Sequence, residues 1–208
     1  MAIILKVDAL DPDPAVIREA ADMIRDGLVV AYPTDTLYGL ATDPRNAAAV
    51  RRLFELKGRP ETSALPLIAA EPAHARAAGD LSASAERLAT RWWPGPLTIV
   101  IPARPILARE TLAGGSTVAV RIPDSLVATA FARDTGFCVT ATSANRSGEP
   151  AASTADAVVR ALPDVDAIID AGPSPGGVPS TIVDASRRVV TLIRDGAVPW
   201  DRVLRSLQ

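Results

Sequence analysis

Apolar runs in this chain are short and end abruptly. Residues 97–101 (Leu-Thr-Ile-Val-Ile) and 118–122 (Val-Ala-Val-Arg-Ile) are strong β patterns, and 28–31 is a compact apolar run of the kind buried on both faces. Between such runs lie stretches with helical spacing. Asp13 caps a helix predicted over 14–25, with Val16, Ile17, Ala20, Ala21 and Ile24 on one face and Gly27 as the stop. Further helices are predicted over 46–56, 82–92, 125–133, 154–162 and 199–207. Further strands are predicted over 3–7, 65–70, 138–140 and 165–170, and a hairpin pairs 180–184 with 189–193 across Ala185-Ser186-Arg187-Arg188. The connections include both hairpin and crossover lengths. The expected fold class is therefore α/β: a twisted mixed β-sheet with packed helices, in one domain over 1–208.

Composition removes several functional classes. An apolar fraction of 48% excludes a disordered chain. A single cysteine, Cys138, excludes an internal disulfide and a multi-cysteine zinc site, and a single histidine, His74, excludes a multi-histidine metal site. Neither Gly-x-x-x-x-Gly-Lys-Ser/Thr nor Gly-x-Gly-x-x-Gly occurs, so a P-loop or Rossmann reading has no support. A net charge of -2 argues against a uniformly basic nucleic-acid coat. No apolar segment reaches the roughly 18 residues of a membrane helix. The opening residues carry no basic region, and Lys6 interrupts their apolar stretch. No signal peptide is expected, and the cytoplasm is the expected location.

Three polar stretches follow apolar ones and are candidate sites. Tyr32-Pro33-Thr34-Asp35-Thr36-Leu37-Tyr38-Gly39-Leu40 places hydroxyls and a carboxylate after a strand, although an ordinary turn uses the same residues. Lys57-Gly58-Arg59-Pro60 follows a helix in a chain with only two lysines, and it fits either a phosphate contact or a solvated helix end. Residues 140–150, Thr-Ala-Thr-Ser-Ala-Asn-Arg-Ser-Gly-Glu-Pro, can present hydroxyls and N–H groups to an anion, or form a long connection. Arg121 lies inside a strand, where a charge requires a partner: Asp35, Asp184 or an anionic ligand. Arg194 follows another apolar run. His74 reads as a surface or structural residue, Cys138 as a buried inert thiol, and Trp92 and Trp93 as core and cavity wall.

Seven segments together resemble the YrdC-like threonylcarbamoyl-AMP synthases. Pro33-Thr34-Asp35-Thr36-Leu37-Tyr38-Gly39-Leu40 comes first, then Lys57-Gly58-Arg59-Pro60, Trp93-Pro94-Gly95-Pro96-Leu97-Thr98 and Val120-Arg121-Ile122-Pro123. Ser143-Ala144-Asn145-Arg146-Ser147-Gly148, Pro179-Ser180-Thr181-Ile182-Val183-Asp184 and Ile193-Arg194-Asp195-Gly196 complete the series in the family's order. The resemblance implies a fold built around a large concave cavity. It also implies synthesis of L-threonylcarbamoyl-adenylate from L-threonine, bicarbonate or CO2, and ATP, with release of pyrophosphate. This would be the first step of a tRNA adenosine modification that other threonylcarbamoyl-transfer proteins complete. Mg2+ would arrive on the ATP phosphates, with no metal site of the protein's own, and direct tRNA contact is a further expectation.

By resemblance, Thr36, Tyr38, Arg121 and the Ala141 backbone contact threonine. Lys57 and Arg59 form a phosphate clamp, and Ser63, Thr117, Ser143, Asn145 and Arg194 contact ATP. The chain departs from the family pattern in places. Ser63 stands where many members have asparagine, an alanine stands where many have histidine near threonine, and Ala151 replaces a frequent serine, with Ser153 nearby. The chain resembles the short, single-domain form. The competing expectation is a non-catalytic module binding double-stranded RNA or tRNA by its backbone. An acidic metal enzyme acting on sugar phosphates lacks a carboxylate cluster in the sequence.

Overall fold

The computed structural model describes residues 2–59 and 62–208; Pro60, which closes the Lys-Gly-Arg-Pro segment, and the adjoining Glu61 lie outside the described residues. The strands form two mixed sheets rather than the single sheet expected from spacing. The first contains β1 (Ile3–Lys6), β2 (Val30–Pro33), β3 (Tyr38–Ala41), β8 (Thr142–Ser143) and β9 (Ala167–Asp170), in the order β1-β9-β2-β3-β8. The second contains β4 (Leu67–Ile68), β5 (Leu97–Pro102), β6 (Thr117–Arg121), β7 (Val139–Thr140), β10 (Thr181–Asp184) and β11 (Thr191–Arg194), in the order β11-β10-β5-β6-β4-β7. Strands β7 and β8 are one apolar-to-polar run interrupted only at Ala141. The chain leaves one sheet there and enters the other, which divides what reads in sequence as a single strand and loop.

The first sheet is covered on both faces. Helix α1 (Pro14–Arg25), whose cap Asp13 accepts from the Ala15 N–H, turns Ile17, Ala20, Ala21 and Ile24 inward and packs with α5 (Leu126–Thr135) against Val30, Tyr32 and Ile169. Helices α2 (Ala47–Lys57) and α6 (Ala155–Ala161) cover the opposite face, against Ala31, Leu40 and Ile168. Alternate residues of one strand thus enter two cores, which explains the near-continuous apolar character of these strands. The second sheet carries α3 (Pro72–Ala78), α4 (Ala83–Trp92, capped by Ser82) and α7 (Trp200–Arg205). Trp92 and Trp93 pack on that core.

Two pairings place the candidate residues. Strands β2 and β3 are antiparallel, Pro33 opposite Tyr38, so Thr34–Leu37 is the turn of a hairpin. Gly39 leaves room for the facing strand: a Cβ would stand 3.1 Å from Cζ of Tyr32, and that ring would have to shift. Strand β10 runs parallel to β5 and antiparallel to β11, bringing Ser180 and Arg194 beside Thr98. None of the described helices is long and apolar enough to cross a membrane.

Candidate active site

A cleft of about 320 Å³ opens where the two sheets meet. The first sheet supplies Thr34, Thr36, Tyr38 and Ser143. The second supplies Thr98, Arg121, Ile182 and Arg194, while Ala141 lies between them and Arg59 reaches in from beyond α2.

The Thr34–Leu37 turn is fixed by its own side chains. Thr34 Oγ1 accepts from the N–H groups of Thr36 (3.1 Å) and Leu37 (3.3 Å) and donates to the Leu37 carbonyl at 2.7 Å, the local bonding expected of threonine in a turn. Thr36 Oγ1 is 3.1 Å from Thr34 Oγ1. Tyr38 places its ring in the wall and donates its hydroxyl away from the cleft, to the Gly172 carbonyl at 2.7 Å. Burial first, then the Asp170 carboxylate, push that hydroxyl's pKa up to about 12, so it remains a neutral donor.

Three guanidiniums border the cavity. Arg59 Nη1 donates to Thr142 Oγ1 at 3.1 Å. Arg194 donates through Nη2 to the Ser180 carbonyl (2.7 Å) and hydroxyl (3.2 Å), and Ser180 Oγ is 2.9 Å from Thr98 Oγ1. Burial lowers the pKa of both arginines, and for Arg194 the neighbouring Arg121 adds to the effect. Arg121 is paired with Asp35, one of the two carboxylates expected from sequence, Nη1 lying 2.9 and 2.8 Å from its two oxygens. The cleft is therefore a place where positive charge is gathered and partly desolvated, as an anion site requires.

Lys57 is placed differently from a solvated or clamp-like lysine. It ends α2, where Gly58 takes the left-handed conformation (φ 59°), and it is only 3% exposed. Its ammonium donates to the Ser143 carbonyl, to the Asn145 carbonyl at 2.9 Å and toward Asn145 Oδ1 at 3.4 Å. Asn145 is likewise buried and spends its Nδ2 on the carbonyls of Arg146 (2.9 Å) and Glu149 (2.6 Å). Burial, and then Arg59, pull the Lys57 pKa down to about 8. Lys57 and Asn145 thus stand behind the wall and shape the loop that presents Ser143.

The residues singled out from sequence separate accordingly. Thr36, Tyr38, Arg59, Arg121, Ala141, Ser143 and Arg194 line the cleft; Lys57 and Asn145 back it; Ser63 and Thr117 are not in its lining. Thr117 opens β6 on the same face as Arg121, about 13 Å away along the strand. Thr34, Thr98, Thr142 and Ser180 line the cleft although sequence reading gave them no role. Each sits in or next to a segment already singled out, so the signal was proximity to those segments. His74 and Cys138 border a separate small hollow, where the thiol donates to the His74 carbonyl at 3.3 Å.

Two mixed sheets meeting at an arginine-lined cleft define an α/β fold suited to anionic small molecules. The Sua5/YciO/YrdC family model, described as "Telomere recombination", matches residues 22–196, and the chain belongs to that family. It is 35% identical over 199 residues to the threonylcarbamoyl-AMP synthase of Bacillus subtilis, covering 94% of this chain and 58% of the relative. It is 40% identical over 162 residues to the enzyme of that name from Thiobacillus denitrificans, covering 77% of this chain and 86% of the relative. The crystal structure of Pyrococcus abyssi Sua5 complexed with L-threonine superposes with a TM-score of 0.92 at 35% identity, covering 99% of this chain and 61% of that one. The chain thus spans a little under two thirds of the longer relatives it matches.

Proposed function

We propose that this chain makes L-threonylcarbamoyl-adenylate from L-threonine, bicarbonate or CO2, and ATP, releasing pyrophosphate. The observation that carries the reading is the convergence of Arg59, Arg121 and Arg194 on one cleft that also holds the hydroxyls of Thr36, Ser143 and Ser180. Support comes from relatives named threonylcarbamoyl-AMP synthase and from a similar structure holding L-threonine.

The chemistry asks little covalent work of the protein. The neutral amine of threonine attacks CO2, forming the N–C bond of a carbamate and losing a proton. A carbamate oxygen then attacks the α-phosphorus of ATP, and the bond to the β,γ-diphosphate breaks. The protein must bring the anions together, hold them in line and offset charge on the departing pyrophosphate. In this reading Arg121 and Thr36 hold the amino acid, with Tyr38 and Ala141 forming its wall. Arg59, Arg194 and Ser143 face the nucleotide, and Lys57 and Asn145 keep the Ser143 loop in place. Ser63 and Thr117 receive no contact in this assignment. The groups facing the cleft are guanidiniums and hydroxyls, which suits Mg2+ carried in on phosphate oxygens. The product would pass to threonylcarbamoyl-transfer proteins acting on tRNA, in the cytoplasm.

The test is pyrophosphate release by the purified chain with ATP, Mg2+, bicarbonate and L-threonine, with mass spectrometry of the adenylate. Release should require threonine, and the product should carry the threonylcarbamoyl mass. Threonine-independent release, or salt-sensitive RNA binding with no adenylate formed, would refute the proposal.

A further inference from the structure

In the cleft wall the two sheets are joined by one ion pair whose members have different positions. Arg121 closes β6 of the second sheet and lines the cavity. Asp35 sits in the β2–β3 turn of the first sheet and does not line it. Their side chains are 11% and 14% exposed, the most deeply buried ion pair among the described residues. Both carboxylate oxygens contact one nitrogen, Nη1, and the Asp124 N–H adds a long 3.4 Å contact to Oδ2. Among the described residues neither Nη2 nor Nε of Arg121 meets a protein acceptor.

We infer that Asp35 is a positioning residue for substrate recognition: it grips the Arg121 guanidinium by one nitrogen from outside the cleft and leaves the rest of the fork for the carboxylate of an α-amino acid. This inference rests on the reading of the cleft as an amino-acid site. A guanidinium on a long side chain loses rotamer freedom when it binds a carboxylate, and an internal partner removes much of that loss beforehand. Arg121 also lies close enough to Arg194 for like charges to repel, the neighbouring Arg121 adding to the burial that lowers the Arg194 pKa. Without Asp35, repulsion would drive Arg121 away from the orientation that faces the cavity. Asp35 itself is held by the turn bonded through Thr34 Oγ1, and the same turn carries Thr36 into the cleft. A single hydrogen-bonded turn therefore sets the hydroxyl directly and the guanidinium at one remove.

The experiment is calorimetric binding of L-threonine, L-threoninamide and ATP to the wild-type chain, Asp35→Asn and Asp35→Glu. Threoninamide lacks the carboxylate and reports everything else in the site. For Asp35→Asn the expected result is about 10- to 100-fold weaker threonine binding, with threoninamide and ATP changed less than about threefold. Asp35→Glu, which keeps the charge, should recover most of the threonine affinity. General damage to the fold would weaken all three ligands together. If Asp35→Asn does not fold, Asp35→Ser, which keeps a polar group facing Asp124, replaces it. Threonine bound by Asp35→Asn as tightly as by wild type, or more tightly, overturns the inference while leaving the proposed function standing. A wild-type chain that binds no threonine overturns both.

Discussion

Replacing Lys57 by methionine keeps most of the side chain's volume and removes its ammonium. Two backbone carbonyls, of Ser143 and Asn145, then lose a charged donor in a place where the lysine is 3% exposed. The Ser143 carbonyl keeps the Asn145 N–H at 3.0 Å, so the Asn145 carbonyl is the buried acceptor left unpaired, at a cost of about 1–3 kcal/mol. Omitting the buried charge returns part of this, and a net loss of about 1–2 kcal/mol is expected. For a chain of this size that lowers Tm by roughly 2–8 °C. The pH dependence provides a second signature. The folded-state pKa lies near 8 and the ordinary lysine value near 10.5, so between them the unfolded chain binds a proton that the folded chain has released. The Lys57 contribution is therefore fully present above pH 10.5 and is lost as pH falls through 8. Denaturant titrations from pH 7 to 10.5 should show wild-type stability gaining an upward slope that Lys57→Met lacks. An unchanged or raised midpoint for Lys57→Met at pH 7 would refute the view that this ammonium fastens the loop, and parallel slopes for the two proteins would refute the lowered pKa.

Two further outcomes follow from packing. Burial pushes the Cys138 thiol up to about 12, so native protein at pH 8 should resist iodoacetamide and become modified only in denaturant, as read by intact mass. A Cβ on Gly196 would stand 2.4 Å from the Pro179 carbonyl oxygen and 2.6 Å from the Thr181 nitrogen, backbone atoms that cannot yield locally. Gly196→Ala should cost about 1–3 kcal/mol in denaturant titration and should weaken ATP binding by displacing Ser180, the anchor of Arg194.

Local chemistry made much of this fold legible. Asp13, Asn46, Ser82 and Thr154 accept hydrogen bonds from helix N-termini close to where helices were expected, because a cap is written in adjacent residues. Strand β3 was not legible. Tyr38-Gly39-Leu40-Ala41 is buried without alternation, and it follows a polar turn that reads as the end of a strand rather than the middle of a hairpin. The division into two sheets depends on pairings between distant segments, which no local pattern reports. The expected strand over 65–70 shortens to Leu67–Ile68: Leu65 donates to the Thr111 carbonyl, away from the ladder, and Ala69 makes the last bond to β6, at the Arg121 carbonyl. In the site, the polar segments were visible as candidates, but the orientation of each side chain was not. Lys57 and Arg59 are two residues apart, yet the turn at Gly58 sends one behind the wall and the other into the cleft.

The position of β9 bears on how the molecule is made. It lies between β1 and β2, in parallel with both, although it comes more than 130 residues after β2 in the chain. During synthesis the first two strands leave the ribosome with a gap between them that only Ala167–Asp170 can close. The facing edges of β1 and β2 therefore stay unpaired until a late four-residue insertion, a long-range closure that favours slow folding.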